Sequence, residues 1–388
     1  MKGINNMDIK YFDHSATTSV DKRVLQAMLP YFSDNYGNPS SIYSIGRSNK
    51  ETINLCRMKI ASILNAKVNE IYFTSCGSES DNLIIKGIAF ANRKKGNHII
   101  TTKIEHPAVL NTCKKLEQFG FLVTYLTPKQ NGIIDIRDLE RSITNRTILI
   151  SVMYANNEIG TIQPISEIGK IAKKYGIYFH TDAVQAVGNI KINVKDENIG
   201  ALSLSSHKFY GPKGIGVAYI NERIPFIRIQ DGGHQESDKR AGTENVPLIV
   251  GMAKALEISD REIISYNNHL RILRDFYVSE IVKRIKYIKV NGDMKKRLSG
   301  NANISFAGID GKKLISELDK KGICASSGSA CSSGYLNPSH VLLSIGVPKN
   351  LARSSLRISF GRENKIEDIK YLIDCLEEIV NNLRTSNI

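Results

Sequence analysis

Nowhere in the sequence do eighteen apolar residues run without interruption, so it offers no segment that would cross a bilayer as a helix. The N-terminal stretch MKGINNMDIKYFDHSATT has no apolar h-region, which argues against a secretory leader and makes the cytoplasm the expected compartment. Cysteine is sparse: six (Cys56, Cys76, Cys113, Cys324, Cys331, Cys375) among 388 residues, with no CxxC pair and no Cys/His set at zinc spacing. That density argues against a disulfide framework, and most of these thiols are expected to be small core residues, Cys324 among them. Internal repeats and low-complexity tracts are also missing. Positive charge is in excess, a net +15, yet it is nowhere concentrated beyond RKK at 93–95 and MKKR at 294–297. A nucleic-acid binder needs a basic stripe interleaved with aromatics, and none is present.

What is present suffices for a large core and two domains: 41% of the residues are hydrophobic. Short β-type runs at 70–74, 98–102, 122–126, 147–153, 177–180, 201–205 and 216–220 alternate with helical spacing at 48–64, 107–119 and 165–175. Apolar strands alternating with amphipathic helices predict an α/β fold, a mostly parallel sheet covered on both faces. An amphipathic stretch from about 258 to 285 reads as a bridge into a smaller α+β unit closed by a helix at 366–383. The expected division is a large domain of residues 19–260 and a small one of 1–18 plus 261–388.

Ligands of such sheets bind at the carboxyl ends of the strands. Five of those ends carry polar groups: Ser75 to Ser80, Glu105-His106, Asn156-Asn157-Glu158, Asp182 to Gln185, and Ser205, His207 and Lys208. The first is a small-residue turn opening a helix, a site where free N–H groups receive phosphate. Lys208, at the end of a buried strand, reads either as a surface turn lysine or as a Schiff-base lysine whose amine is consumed by a cofactor. Five polar strand ends on one rim favour a cofactor that carries both an anion and a ring. The glycines at 211, 214 and 216 lead into a strand rather than a helix and lack dinucleotide spacing.

The segments DHSATT, GNPSS, FTSCGSESDN, the EH at 105–106, NNEIGTIQPI, HTDAVQAVG, SSHKFYGPKGIG, RAGTEN, SSGSACSSG and SSLRISFGR, spread from residue 13 to 362, carry a resemblance. The chain closely resembles the class V, fold-type-I enzymes dependent on pyridoxal 5'-phosphate (PLP), and within them the NifS/IscS-type cysteine desulfurases. The resemblance implies that fold, with a large PLP-binding domain and a small domain carrying a catalytic cysteine loop. It implies that Lys208 bonds the cofactor, Asp182 pairs with the ring nitrogen, Gln185 bonds the phenolic oxygen and His106 stacks on the ring and moves protons. Gly77, Ser78, Ser205 and His207 would hold the phosphate. Thr243 would reach the phosphate from a second subunit, which makes a homodimer the expected unit. Asn157 would lie near the ring and the substrate carboxylate, and Arg357 would clamp that carboxylate bidentately.

Cys331 sits in SSGSACSSGYLNP, a Ser/Gly-rich stretch with no apolar period, expected to be a mobile loop. An exposed thiol there is best explained as a nucleophile. The implied reaction converts L-cysteine to L-alanine and carries the sulfur as a persulfide on Cys331 to an acceptor or iron–sulfur scaffold protein. No metal site is implied beyond transient contact of Cys331 with an iron–sulfur cluster. Departures from the family pattern are Cys76 for a usual glycine, Ser78 for a usual threonine, and DGGHQ with one glycine fewer than usual. The chain ends soon after its last helix, where IscS-type members carry a longer tail, which leans the resemblance towards NifS-type. Met1 and Met7 both stand as candidate starts. The competing readings are a selenocysteine lyase or another class V enzyme, a sulfur carrier without catalysis, and a basic nucleic-acid binder.

Overall fold

The computed structural model describes residues 9–327 and 338–385. Its centre is a seven-stranded sheet, in spatial order Ile71–Thr74, Gly216–Ile220, Ala201–Ser205, Tyr178–Asp182, Thr147–Ser151, His98–Thr102 and Leu122–Leu126. The last five strands of that order are parallel. Gly216–Ile220 runs antiparallel to both of its neighbours, because a turn of about ten residues joins it to the Ala201–Ser205 strand directly and no crossover helix intervenes. Ile71–Thr74 therefore points the same way as the parallel strands, and all five polar strand ends lie on one rim. Most strand residues are buried, as expected where helices cover both faces. The fold is the α/β architecture of the fold-type-I enzymes.

Local chemistry explains the helix boundaries. Ile165–Tyr175 ends at Gly176, whose left-handed φ of +65° lets its N–H reach the carbonyls of Ala172 and Lys173. Asn245 caps the 39-residue helix Val246–Arg284, accepting from the Leu248 N–H at 3.2 Å. This helix starts a dozen residues before the amphipathic stretch read from the sequence. Its first turns bury Val246, Ile249, Met252, Ala253, Ala255 and Leu256 on nearly every side, so they carry no polar face for periodicity to detect. Near the N-terminus two short helices, Lys22–Met28 and Pro30–Ser33, meet at Pro30, which opens the second.

One apolar core, from Val24 through Ile150 and Leu202 to Ile258, lies against the large sheet. A second, of Phe12, Leu270, Tyr277, Ile304, Ile358 and Leu376 among others, fills the space between the three-stranded antiparallel sheet (Ile288–Val290, Asn301–Phe306, Ser355–Ser359) and the Ile366–Thr385 helix. Cys56, Cys113 and Cys375 are buried as expected; Cys76 and Cys324 are only half-buried, which corrects the placement of Cys324 in the core. Cys324 is the last residue of a two-residue strand beside Tyr11, too short to be covered on both faces. Among the described residues no helix is long and apolar enough to cross a membrane.

Candidate active site

The rim is organised by a segment to which the sequence reading assigned no role, residues 13–18 of DHSATT. Lys208 Nζ donates to the carbonyls of Ser15 and Ala16, both at 2.7 Å. Gln185 Nε2 donates to the same Ser15 carbonyl at 3.0 Å. His207 meets Thr17 Oγ1 through Nδ1 at 3.1 Å, and its carbonyl accepts from the Thr18 hydroxyl and N–H, both at 3.0 Å. Arg357 Nη2 pairs with Asp13 at 2.6 Å. One turn thus draws together side chains from two strand ends of the large sheet's rim and from a strand of the small sheet. The available signal was a run of small hydroxyl residues after a short extended segment.

Asp182, the last residue of its strand, is buried, and its Oδ1 accepts from the Val184 N–H at 2.9 Å. Burial raises its pKa, while the nearby His106 and Lys208 and the Val184 bond oppose that shift. His106 caps the Pro107–Glu117 helix by accepting from the Ala108 N–H at 3.1 Å, which places the proton of the neutral ring on Nε2. Burial lowers its pKa, Asp182 raises it, and Lys208 and His340 lower it further. His207 is pushed down to about 4, chiefly by burial and then by Lys208 and Lys213. Both rings are therefore neutral at physiological pH.

Gly77 is the first residue of the Gly77–Ala91 helix, and any Cβ there would lie 2.6 Å from Val184 Cγ2, so only glycine allows this approach. Ser205 lies against the same point. Ser78 is exposed in an open depression that it shares with Asn82, Lys86, His106 and Asn111. Cys76 caps the helix with φ −173° and ψ 171°, extended backbone open to any residue, so its departure from glycine is without strain. No side chain caps that helix start, which leaves its first N–H groups for an anion. Thr243 is exposed on the segment preceding the Val246–Arg284 helix and is joined to none of the other site residues by any described contact.

Arg357 is 2% exposed, and Asn157 takes part through its carbonyl, which accepts from Arg357 Nη1 at 3.1 Å. Arg357 Nε is buried without a partner. Cys331 lies outside the described residues. Ser339, just beyond that gap, caps the His340–Ser344 helix and bonds Glu158, a buried carboxyl pushed up to about 7 by desolvation. Glu158 thereby ties the chain after the cysteine segment to the large sheet. Among the described residues no cluster of His, Cys, Asp or Glu is placed to hold a metal ion.

Glu105, beside His106, is fully buried; Oε1 accepts from Thr102 Oγ1 at 2.6 Å and from the Met153 N–H at 3.0 Å, and Oε2 has no partner. Desolvation pushes it from 4.5 up to about 8. An acid whose pKa is raised by folding contributes stability that is complete below its unfolded pKa and is lost as pH rises through the folded one. Glu105→Gln is therefore expected to gain on the wild type between about pH 5 and about pH 8, by at most ~1.4 kcal/mol per pH unit. Urea melts across that range measure the widening gap; a pH-independent difference would contradict it.

A fold-type-I sheet with a lysine, a buried aspartate, a histidine and an anion-ready helix start on one rim defines a class of protein. The chain belongs to the aminotransferase class-V family, which matches residues 10–372. Within that family it stands with the cysteine desulfurases. It is 52% identical over 376 residues to "Cysteine desulfurase IscS" of Clostridium botulinum, covering 96% of this chain and 95% of the relative. It is 54% identical to the protein of the same name from Methanosarcina thermophila, over 96% and 92% of the two chains. Among solved structures it resembles a "NIFS-LIKE PROTEIN" with a TM-score of 0.91 at 37% identity, covering 97% and 100%. It also resembles "SspA in complex with cysteine", with a TM-score of 0.80 at 39% identity over 91% and 99%. The sequence relatives carry the IscS name and the first structure the NifS name, so neither label is singled out.

Proposed function

We propose that the protein uses PLP to take sulfur from L-cysteine onto Cys331, releasing L-alanine, and passes the persulfide sulfur to an acceptor or iron–sulfur scaffold protein. The observation that carries this reading is the 13–18 turn, which holds Lys208, Gln185, His207 and Arg357 together on the rim that bears Asp182 and His106. The residues fit the cofactor: the Gly77 approach leaves a cradle at a helix start without a side-chain cap, and Asp182 supplies a buried carboxylate. Gly77, Ser78, Ser205 and His207 would hold its phosphate, with Thr243 from a second subunit. Asp182, Gln185, His106 and Asn157 would surround its ring, and Lys208 would bond it. Bound PLP would draw electrons from the substrate's α-carbon and so weaken the bond to sulfur.

The chain's own groups then divide the work. Arg357 holds the substrate carboxylate, and its unpartnered Nε is a donor suited to one. Lys208 takes the α-proton and returns one to the carbon skeleton. His106, neutral and protonated on Nε2, holds a proton at the rim. The Cys331 thiolate attacks the substrate sulfur, so that the S–S bond forms as the C–S bond breaks: L-cysteine and a thiol become L-alanine and a persulfide. Cys331→Ser is expected to abolish the persulfide and to reduce alanine formation by about a hundredfold or more. Alkylation and mass measurement of the 331 peptide, with alanine assayed alongside, test this; a persulfide that survives the substitution would overturn the reading, as would purified protein that stays colourless with added PLP.

A homodimer is supported by apolar side chains left exposed on the N-terminal helices and their connections, among them Phe32, Tyr36, Ile42, Tyr43 and Leu55, with Ile42 87% exposed. The division into residues 19–260 and 1–18 plus 261–388 is supported by the two apolar cores, and the cytoplasm by scattered free thiols.

A further inference from the structure

Beneath Asp182 lies a second buried carboxyl that the proposed chemistry does not use. Asp81, in the second turn of the Gly77–Ala91 helix, is 1% exposed. Its Oδ1 has no hydrogen-bond partner, and His180 Nε2 lies 3.6 Å from it. His180 sits two residues before Asp182 on the same strand and hence on the same face of the sheet. Its ring is clamped between two hydroxyls, Nδ1 to Ser151 Oγ at 2.9 Å and Nε2 to Ser203 Oγ at 3.0 Å. Ser203, which pairs in register with Asp182, also favours the charged form of the Asp81 carboxyl.

We propose that Asp81 is a positioning residue that holds a proton in the resting enzyme, so that Asp81 and Asp182 share one negative charge and Asp182 alone carries it. Two neighbouring carboxylates cannot both ionise in a water-excluded interior at low cost. The surroundings decide which one does. Asp182 faces His106 and Lys208 and receives the Val184 N–H. Asp81 faces Asp182, whose charge opposes its own, and only the Ser203 hydroxyl favours it. His180 does not serve as its cation, because burial pushes that ring down to about 3. Asp81 also lies past the first helical turn, where the helix dipole has faded.

The hydrogen bonds have a direction that reports the proton. A protonated Asp81 donates to Ser203 Oγ, Ser203 donates to His180 Nε2, and His180 Nδ1–H donates to Ser151. An ionised Asp81 reverses every step and moves the ring proton to Nε2. The consequence for function, that Asp182 meets the ring nitrogen as the sole anion, rests on the reading of Asp182 given above; the protonation of Asp81 does not.

The test uses the full chain, first with PLP added and then with the cofactor removed. Infrared difference spectra at neutral pH should show a protonated-carboxyl stretch, shifted in heavy water, that is lost in Asp81→Asn, while a separate one is lost in Glu105→Gln. Nitrogen NMR of labelled histidine should place the His180 proton on Nδ1, a measurement on the wild type that stands even where a variant fails to fold. An unchanged carboxyl region in Asp81→Asn, or a His180 proton on Nε2, overturns the proposal. A protein that takes up no PLP yet shows the protonated Asp81 sinks the role of Asp182 and leaves this assignment intact.

Discussion

Replacing Lys208 by alanine will lower alanine formation from L-cysteine by about a thousandfold or more, without unfolding the protein. The ammonium group rests on two backbone carbonyls at 2.7 Å, those of Ser15 and Ala16, at the end of a buried strand and within electrostatic reach of Asp182 and His106. Its removal leaves those carbonyls without this donor, a loss of about 1–3 kcal/mol that the two large apolar cores absorb. No other amine is bonded to that turn among the described residues, so both the covalent attachment of the cofactor and the proton transfer at the α-carbon are lost together. Borohydride reduction followed by peptide mass measurement should find a covalent adduct at residue 208 in the wild type and none in the variant. A thermal melt separates this from unfolding. A variant that retains a tenth of the wild-type rate would mean that another group takes the α-proton.

The second large effect is at Arg357. Its guanidinium is nearly inaccessible, with one arm on Asp13, one on the Asn157 carbonyl and Nε unpartnered. Arg357→Gln is expected to raise the KM for L-cysteine about a hundredfold, the loss of a charged two-point contact with a carboxylate, with a much smaller effect on kcat. It should also lower stability by up to about 3 kcal/mol, since Asp13 loses its partner in a half-buried setting. Arg357→Lys distinguishes the two roles. A lysine restores the charge beside Asp13 but not the fork, so stability should largely recover while KM stays high. Full recovery of KM with lysine would show that charge alone binds the substrate, and equal losses of kcat and kcat/KM would place the contact in the transition state only.

Much of the site was legible because each candidate stood at the end of an apolar strand, and a parallel sheet sends such ends to one rim. Lys208, Asp182, His106 and Ser205 belong to that group. Gly77 was legible as part of a small-residue turn, although its reason, the approach of Val184, is a contact with a distant part of the chain. Asp13 on Arg357 was not legible: the partners are 344 residues apart and belong to segments with no shared periodicity. The same holds for Asp81, whose neighbours His180 and Ser203 come from two strands and whose own sequence context reads only as the start of a helix.

The sequence by itself determined the alternation of strands and helices, the side of the sheet on which polar groups gather, and the family, since these follow from local periodicity and short motifs. Tertiary structure decided which carbonyls hold Lys208, which carboxylate occupies Arg357, where the long helix begins and which buried carboxyls crowd each other. Those depend on burial and charge summed over distant segments, and a chain reveals them only when it is packed.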